Sequence, residues 1–333
     1  MTVSARARAD VATLRDIQAP VRDRLDAVAG EMWSLVATEL PLVAEVNQHL
    51  AGMKGKMFRP TLVLLASAVD DRPEPRAVRV AAALELLHLA TLVHDDAVDH
   101  SVLRRGMPTI NALFSHQIAV IVGDYLYTRT LSALVETGDL QVMRVFTDAS
   151  TQMTLGEIRQ LGALDALAFD EDDYDRLVRA KTASLFAAAC EVGALCGAAR
   201  FREPLRRYGE RLGVAFQIAD DLLDYTEASE VTGKPSGLDL REHKVTLPLI
   251  GALRAMPPSA RRRVEALFAS AEPDDRQVAE VVGIVTEYGG LEYARRRGEE
   301  ATRAAEEALA SLPDSAARGA LLDAIGYVVD RRS

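Results

Sequence analysis

The chain has 333 residues, a formal net charge of −10 and a hydrophobic fraction of 49%. This length and hydrophobicity allow a large buried core, and the acidic balance argues against nucleic-acid binding, which needs a basic face. Much of the hydrophobic fraction is Ala and Leu, which favour helices, whereas aromatic residues amount to only 5%. Composition therefore predicts an all-α protein with no nucleic-acid partner.

Two further features bear on the compartment. Cys190 and Cys196 lie in an Ala-rich segment with too few ligands nearby for a metal site, so we expect two buried thiols in a reducing compartment. The longest apolar run, residues 61–69, is shorter than the ~18 residues of a membrane span, and the N-terminus lacks the apolar core of a signal peptide. We therefore expect a cytoplasmic protein without a transmembrane segment.

Helical periodicity runs through most of the chain. Apolar residues recur at spacings of three and four in four long segments: 82–98, 117–134, 174–199 and 204–225. Loops rich in Gly, Pro or charged residues separate the helical segments at 70–76, 104–109 and 232–237. We predict about ten to thirteen helices in a single domain, residues 1–333, in which residues 1–20 are candidates for a loosely held segment.

Two acidic clusters share the spacing DDxxD, and each follows a long apolar segment. The first consists of Asp95, Asp96 and Asp99, and the second consists of Asp220, Asp221 and Asp224. The C-terminal end of a helix is a poor place for anions, because the helix dipole is negative there, so a bound cation is indicated. Oxygen ligands without His or Cys favour Mg²⁺, and neither cluster has the Gly and Glu of a calcium-binding EF-hand. A solvated acidic face would explain one such cluster but explains two poorly.

Seven basic residues are candidate partners for substrate phosphates: Lys56, Arg59, Arg104, Arg105, Lys181, Lys234 and Lys244. Each one, taken singly, could be an ordinary surface cation. Arg104, Arg105 and Lys234 follow the acidic clusters closely, which favours a binding role for these three. Carboxylates that hold Mg²⁺ through one or two contacts leave room for phosphate oxygens. The sequence therefore predicts a site that binds and ionises diphosphates.

Six motifs carry a resemblance to a known family. They are "GKMFRP", "ELLHLATLVHDD", "LVHDDAVDHSVLRRGMPT", "VGDYLYTRTLSAL", "AKTASLF" and "FQIADDLLDYTEASEVTGKPSGLDLREHKVTLPLI". In this order and spacing they resemble the motifs of the trans-isoprenyl diphosphate synthases, or polyprenyl synthetases, from about residue 20 to the end. The resemblance implies the isoprenoid synthase fold, with helices around a central cavity, in a homodimeric prenyltransferase.

The resemblance also implies roles for individual residues. Asp95, Asp99 and Asp220 would be the main ligands of about three Mg²⁺ ions, supported by Asp96, Asp221 and Asp224. The allylic diphosphate, farnesyl or geranylgeranyl, would be held by Arg104, Lys181 and Lys234, with Lys244 nearby. Isopentenyl diphosphate would be held by Lys56, Arg59, His88 and Arg105. The developing allylic cation would be flanked by Thr182 and Gln217.

Three positions need separate comment. The family usually has Arg where this chain has Met57, and Gly where it has Lys54, so we expect weaker or rearranged binding of isopentenyl diphosphate rather than loss of activity. A lone His on an apolar helix is usually a core residue, but His88 lies two turns before Asp95 on roughly the same face, which favours binding. Asp124 is interpreted as a buried structural group.

Small residues predict a long product. The chain would grow from the first cluster back along its helix, where Ala90 and Thr91 lie one turn away. Short-chain members of the family carry bulky aromatic residues there, so we expect a product beyond fifteen carbons, for a quinone side chain. Candidate residues for the tunnel floor are Tyr127, Leu131 and Leu134.

Other functions compete with this interpretation. A medium-chain geranylgeranyl diphosphate synthase would differ only in product length. A catalytically silent subunit of a heteromeric synthase would have lost Asp residues from one cluster, and both clusters are intact here. A terpene cyclase would carry an Asn/Ser/Glu motif in place of the second DDxxD. A helical metal-binding protein would not explain the cations beside each cluster.

Overall fold

Helices make up nearly all regular structure in residues 12–53, 55–162, 166–226 and 237–330, which are the residues that the computed structural model describes. The helices are, in chain order, α1 Leu14–Gln18, α2 Arg22–Leu35, α3 Pro41–Gly52, α4 Phe58–Ala68, α5 Ala77–Val98, α6 Ile110–Leu113, α7 His116–Glu136, α8 Leu140–Leu161, α9 Glu171–Val178, α10 Ser184–Leu195, α11 Arg202–Thr226, α12 Leu238–Arg241, α13 Leu247–Leu253, α14 Pro258–Phe268, α15 Asp275–Glu287, α16 Gly290–Leu309 and α17 Ala316–Val329. Twelve of these have ten residues or more, and the expected all-α fold is confirmed.

The long central helices pack closely because small residues lie where they cross. Helix α11 packs against α10 and α16, and α5 packs against α7. A Cβ atom on Gly209 of α11 would lie 2.4 Å from the carbonyl oxygen of Phe186 on α10, so only glycine allows this approach. The apolar face of each helix joins one cluster of buried side chains, which fixes the directions of α5 and α11.

A two-strand hairpin follows the first acidic cluster. Strand β1, Leu103–Arg104, pairs antiparallel with strand β2, Met107–Pro108. The two turn residues, Arg105 and Gly106, both have positive φ angles, 51° and 75°, as a two-residue hairpin turn requires. The expected turn at 104–109 is confirmed, and it brings the side chain of Arg104 back to Asp96 near the end of α5.

The segment 174–199 is not one regular helix as expected. A π-helical turn, Arg179–Ala183, interrupts it between α9 and α10. Such wide turns occur mostly at functional sites, because the extra residue redirects the side chains of the turn. Lys181 and Thr182 lie in this turn.

Two helices, α5 and α7, are long and apolar enough to cross a membrane when judged by length and composition alone. The sequence analysis counted uninterrupted apolar runs, and the longest of these is shorter than a membrane span. The two helices pass a test of average hydropathy, which tolerates the scattered polar residues that they carry. The finding is weak support for a membrane protein, since a core helix passes the same test. About 56% of the most apolar stretch of α5 is buried inside the protein, against 39% for α7.

Three smaller expectations can be compared with the structure. Cys190 and Cys196 are buried free thiols, as expected, and burial raises the pKa of Cys196 to about 11. The interpretation of Asp124 as a buried group was wrong, because its side chain is 65% exposed and lies 3.4 Å from Nε2 of His94. Residues 1–11 lie outside the described residues, whereas Ile17 is fully buried.

Candidate active site

The first acidic cluster ends α5 and is divided between two tasks. Asp96 is buried, and Nε of Arg104 donates to both of its carboxylate oxygens at 2.8 Å. Asp99 is exposed, and Asp95 is half-buried. Burial raises the pKa of Asp95 to about 6. The ammonium group of Lys181 lowers this pKa, whereas the negative charges of Glu157 and Asp99 raise it. Asp96 therefore anchors Arg104, while Asp99 is exposed to solvent and Asp95 is half-buried.

The second cluster ends α11 and shows the same division. Asp221 is buried, and it accepts hydrogen bonds from the hydroxyl of Tyr174 at 2.6 Å and from Nε2 of Gln217 at 2.8 Å. Because Asp221 engages the amide nitrogen of Gln217, the amide oxygen faces Thr182, whose hydroxyl donates to it at 2.8 Å. Burial raises the pKa of Asp221 to about 7, although both hydrogen bonds lower it.

Asp224 also serves the local structure. Its two carboxylate oxygens accept from the backbone N–H groups of Leu238 at 3.0 Å and Asp239 at 3.1 Å, at the start of α12. Burial raises the pKa of Asp224 as well, against these two hydrogen bonds. Asp220 is the exposed member of this cluster.

Asp96, Asp221 and Asp224 therefore hold other groups through these hydrogen bonds, whereas Asp99 and Asp220 are exposed and Asp95 is half-buried. Asp95, Asp99 and Asp220 are the same three that the sequence analysis names as main ligands. Hard carboxylate oxygens suit a divalent cation such as Mg²⁺. Within the described ranges, no three His, Cys, Asp or Glu side chains converge on one point that could hold a metal. The carboxylates thus fit a cation that completes its coordination with other oxygens.

A cavity of about 440 Å³ joins the second cluster to the cationic side chains. Its lining includes Lys181, Thr182, Gln217, Asp220 and Lys244. Nζ of Lys181 lies 2.5 Å from Oε2 of Glu157 and 2.7 Å from Oε1 of Gln160, so α8 holds this ammonium group in place.

Lys244 stands between the two acidic clusters. Burial lowers its pKa, but the hydrogen bond to Glu242 and the charges of Asp239 and Asp99 raise it above the ordinary value. Asp99 follows the end of α5, and the backbone N–H of Asp239 donates to Asp224 of α11. Carboxylates near both acidic clusters therefore act on the ammonium group of Lys244. Lys234 lies outside the described residues.

Two residues expected to bind isopentenyl diphosphate form a contact of their own. Nη1 of Arg59 lies 3.0 Å from Nε2 of His88, and its guanidinium carbon is 4.8 Å from the ring centre of Phe186. Burial, followed by the charges of Arg59, Arg105 and Arg104, keeps the pKa of His88 well below its ordinary value. His88 is therefore neutral, and Nε2 must be the acceptor, because arginine only donates.

The other two members of this group are more open. Lys56 is exposed, and its ammonium nitrogen lies 5.7 Å from the ring centre of Tyr327. Arg105 is exposed at the tip of the hairpin. Three cations, Lys56, Arg59 and Arg105, thus come from the start of α4 and from the hairpin, and neutral His88 of α5 accepts from Arg59.

Sequence reasoning missed several residues of the site: Glu85, Glu157, Gln160, Tyr174 and Asp239. Burial raises the pKa of Asp239 to about 7, and Asp221 and Asp224 raise it further. Tyr174 is 47 positions from Asp221, so no local spacing connects them. Asp239 stands in a stretch that carries the resemblance, which was the one signal that could have found it.

Comparison with known proteins agrees with this geometry. The chain matches the family model described as polyprenyl synthetase over residues 40–285. It is 39% identical to the all-trans-nonaprenyl-diphosphate synthase (geranyl-diphosphate specific) of Rhodobacter capsulatus, over 95% of this chain and 98% of the relative.

Solved structures show the same likeness. A decaprenyl diphosphate synthase from Rhodobacter capsulatus superposes with a TM-score of 0.91 at 38% identity, over 96% of this chain and 100% of that one. A polyprenyl synthase from Caulobacter crescentus CB15, complexed with calcium and isoprenyl diphosphate, has a TM-score of 0.91 at 31% identity, over 98% of this chain and 100% of that one. This chain, whose two DDxxD clusters lie at the C-terminal ends of α5 and α11, belongs to the polyprenyl synthetase family and is a prenyltransferase.

Proposed function

We propose that the chain is an all-trans polyprenyl diphosphate synthase, which condenses isopentenyl diphosphate head to tail with an allylic diphosphate in the presence of Mg²⁺. The observation that supports this most strongly is the pair of acidic clusters on α5 and α11. The charge of Lys181 acts on Asp95 of the first cluster. Lys244 lines the same cavity as Asp220 of the second cluster, and the charge of Asp99 acts on it. This distribution of charge suits a diphosphate that leaves as an anion.

The side chains have distinct tasks in this reaction. Asp95, Asp99 and Asp220 would hold about three Mg²⁺ ions, which would supply positive charge to neutralise the leaving diphosphate. Lys181 binds the same diphosphate, and Asp96 holds Arg104 in a fixed orientation for it. Lys234 and Lys244 complete the cationic side of this subsite.

An allylic cation needs groups that stabilise it without attacking it. The amide oxygen of Gln217 and the hydroxyl of Thr182 form a fixed pair at the cavity wall. Their partial negative charges face the developing cation, and Asp221 prevents the amide from flipping. The double bond of isopentenyl diphosphate attacks the cation, and the proton then leaves to the released diphosphate.

Isopentenyl diphosphate would bind at Lys56, Arg59, His88 and Arg105. Neutral His88 fixes Arg59 rather than adding a charge. Met57, where the family usually has Arg, has a left-handed backbone with φ of 51° and supplies no cation. We therefore expect weaker binding of this substrate than an arginine at that position would give.

The product is proposed to be longer than fifteen carbons and to serve as a quinone side chain. Ala90 is small and buried, and Thr91 is half-buried on the face of α5 that carries Asp95. The relatives described above are named as nonaprenyl and decaprenyl diphosphate synthases, which favours a long product. We propose farnesyl or geranylgeranyl diphosphate as the primer, whereas the nonaprenyl relative is named as specific for geranyl diphosphate. A medium-chain geranylgeranyl diphosphate synthase is the alternative, and product size separates the two.

We further propose a single domain over residues 1–333 and a cytoplasmic homodimer. One continuous cluster of buried side chains supports the single domain. Large apolar residues are exposed along α7 and α8, including Ile121 at 65%, Val135 at 62% and Leu140 at 80%. Such a surface usually marks an interface, and a second copy of this chain would cover it.

The test is elongation with the purified chain, Mg²⁺, labelled isopentenyl diphosphate and either primer, followed by sizing of the dephosphorylated products. A ladder that ends at thirty or more carbons is the expected result. Asp220→Asn should abolish the ladder, whereas Asp314→Asn, at a fully exposed position, should leave it intact. A wild-type chain that elongates no primer would overturn the synthase and favour the silent subunit of a heteromeric enzyme.

A further inference from the structure

Glu85 lies on α5, one turn before His88, and its carboxyl group faces cations. A Cβ atom on Gly55 would lie 3.1 Å from Nη1 of Arg105 and 3.6 Å from Oε1 of Glu85, so both side chains converge on the Gly55 backbone. The charge of Arg59 also acts on this carboxyl group. One carboxylate therefore faces two of the arginines assigned to isopentenyl diphosphate.

This position is costly for a carboxylate. Oε2 of Glu85 is buried and has no hydrogen-bond partner among the described residues. Burial raises the pKa of Glu85, whereas the charges of Arg59 and Arg105 lower it. A buried carboxyl oxygen without a hydrogen bond costs folding free energy. A residue that lowers stability beside a binding subsite is better explained by function than by packing.

The surroundings direct the carboxylate towards the arginines. Glu85 lines a cavity of about 260 Å³ whose other walls are mainly apolar, with Met32, Trp33, Met57 and Leu89 among them. These walls offer it no charge, and a low local dielectric strengthens its attraction to the guanidinium groups. Met57 is part of this lining, so position 57 brings no further cation to the carboxylate.

We propose that Glu85 is a positioning residue of the isopentenyl diphosphate subsite, which holds the guanidinium groups of Arg59 and Arg105 together before the diphosphate arrives. This inference rests on the proposed function. The two guanidinium groups repel each other, and a carboxylate near both of them offsets that repulsion. The diphosphate then meets donors that are already oriented, which lowers the free-energy cost of binding.

The decisive variant is Glu85→Gln, which keeps the shape of the side chain and removes its charge. The KM for isopentenyl diphosphate should rise about tenfold, because the variant removes the negative charge that acts on Arg59 and Arg105. The KM for the allylic diphosphate should stay within about twofold, because that subsite is separate. Glu85→Asp, which keeps the charge but is shorter, should give an intermediate value.

Stability provides a second readout. Because Oε2 lacks a partner, Glu85→Gln should unfold at the same temperature as the wild type or higher. Glu31→Gln is the matched control. Glu31 of α2 pairs at 2.8 Å with Arg79 of α5, the helix that also carries Glu85, and this pair is away from the substrate groups. The control variant should leave both KM values unchanged.

Calorimetric titration with isopentenyl diphosphate alone separates this inference from the proposed function. A wild-type chain that binds and elongates, with a Glu85→Gln variant of equal affinity, would overturn the positioning role. A variant that unfolds earlier and shifts both KM values together would also overturn it, in favour of a structural role. Failure of the wild type itself to bind isopentenyl diphosphate would instead refute the proposed function.

Discussion

Six similar aspartates perform different tasks because their side chains meet different neighbours. Asp96 accepts a hydrogen bond from Nε of Arg104, and Asp221 orients Gln217 by accepting from its Nε2 at 2.8 Å. Asp224 caps the helix that begins at Leu238. The proposed metal ligands Asp95, Asp99 and Asp220 thus lie beside three aspartates that hold the surrounding side chains.

The buried carboxyl groups predict an unusual pH dependence for the metal-free protein. The folded pKa of Asp221, about 7, lies above its ordinary value of 3.8, so the folded state binds the extra proton between these values. Its contribution to stability is therefore present at low pH and is lost as pH rises to about 7. Asp221→Asn removes this contribution.

The measurement is thermal unfolding in a chelator at pH 5 and pH 8. As the pH rises from 5 to 8, the free energy of unfolding of Asp221→Asn should increase, relative to that of wild type, by on the order of 1–3 kcal/mol. Asp314→Asn, at an exposed site, should follow the wild-type curve. Equal pH dependence in wild type and Asp221→Asn would contradict the raised pKa.

At the scale of elements, the π-helical turn and α8 together place Lys181. A Cβ atom on Gly156 would lie 2.9 Å from Cβ of Ala180 and 3.1 Å from Cγ of Lys181. Gly156→Ala should therefore push the turn away and lower kcat about tenfold or more, since displaced binding groups cost catalysis.

The matched control is Gly30→Ala on α2, where a Cβ atom meets nothing within 4 Å. That change should stabilise the protein by about 0.5–1 kcal/mol, because alanine favours a helix more than glycine does, and it should leave kcat unchanged. Equal kcat values for both variants would show that α8 does not position Lys181.

Helix α5 also carries the prediction on product length. Thr91→Phe places an aromatic ring one turn behind Asp95 and should shorten the longest product, since each turn of about 5.4 Å corresponds to roughly one isoprene unit. Leu89→Phe adds a similar ring on the side of the helix that lines the cavity beside Glu85. It should leave product length unchanged even if the rate falls. Chromatography of the dephosphorylated products distinguishes the two results.

At the scale of the molecule, the exposed apolar surface of α7 and α8 bears on assembly. Ile121→Glu puts a charge into the proposed interface and should weaken self-association about tenfold or more. Val329→Glu is the control, because Val329 is similarly exposed, at 54%, on α17. Sedimentation velocity over a range of protein concentrations measures both. A wild-type chain that remains monomeric throughout would contradict the homodimer.

The two long apolar helices show why hydropathy alone does not distinguish a core helix from a membrane span. α5 is apolar because it crosses the core, whereas α7 is apolar although much of it is exposed. A hydropathy pattern cannot separate these cases, since both place Ala, Val and Leu at helical spacing. Asp124 shows the same limit, because it lies on an apolar helix but on its outer face.

The sequence by itself determined the helices, the two acidic clusters and the family, because helical periodicity and DDxxD are local patterns with one main physical cause each. Only the tertiary structure decided which carboxylates are exposed, since that depends on partners far along the chain, such as Tyr174 for Asp221. It likewise decided the exposure of Asp124 and the π-helical turn at Lys181. These depend on how helices pack, and packing joins residues that no sequence spacing connects.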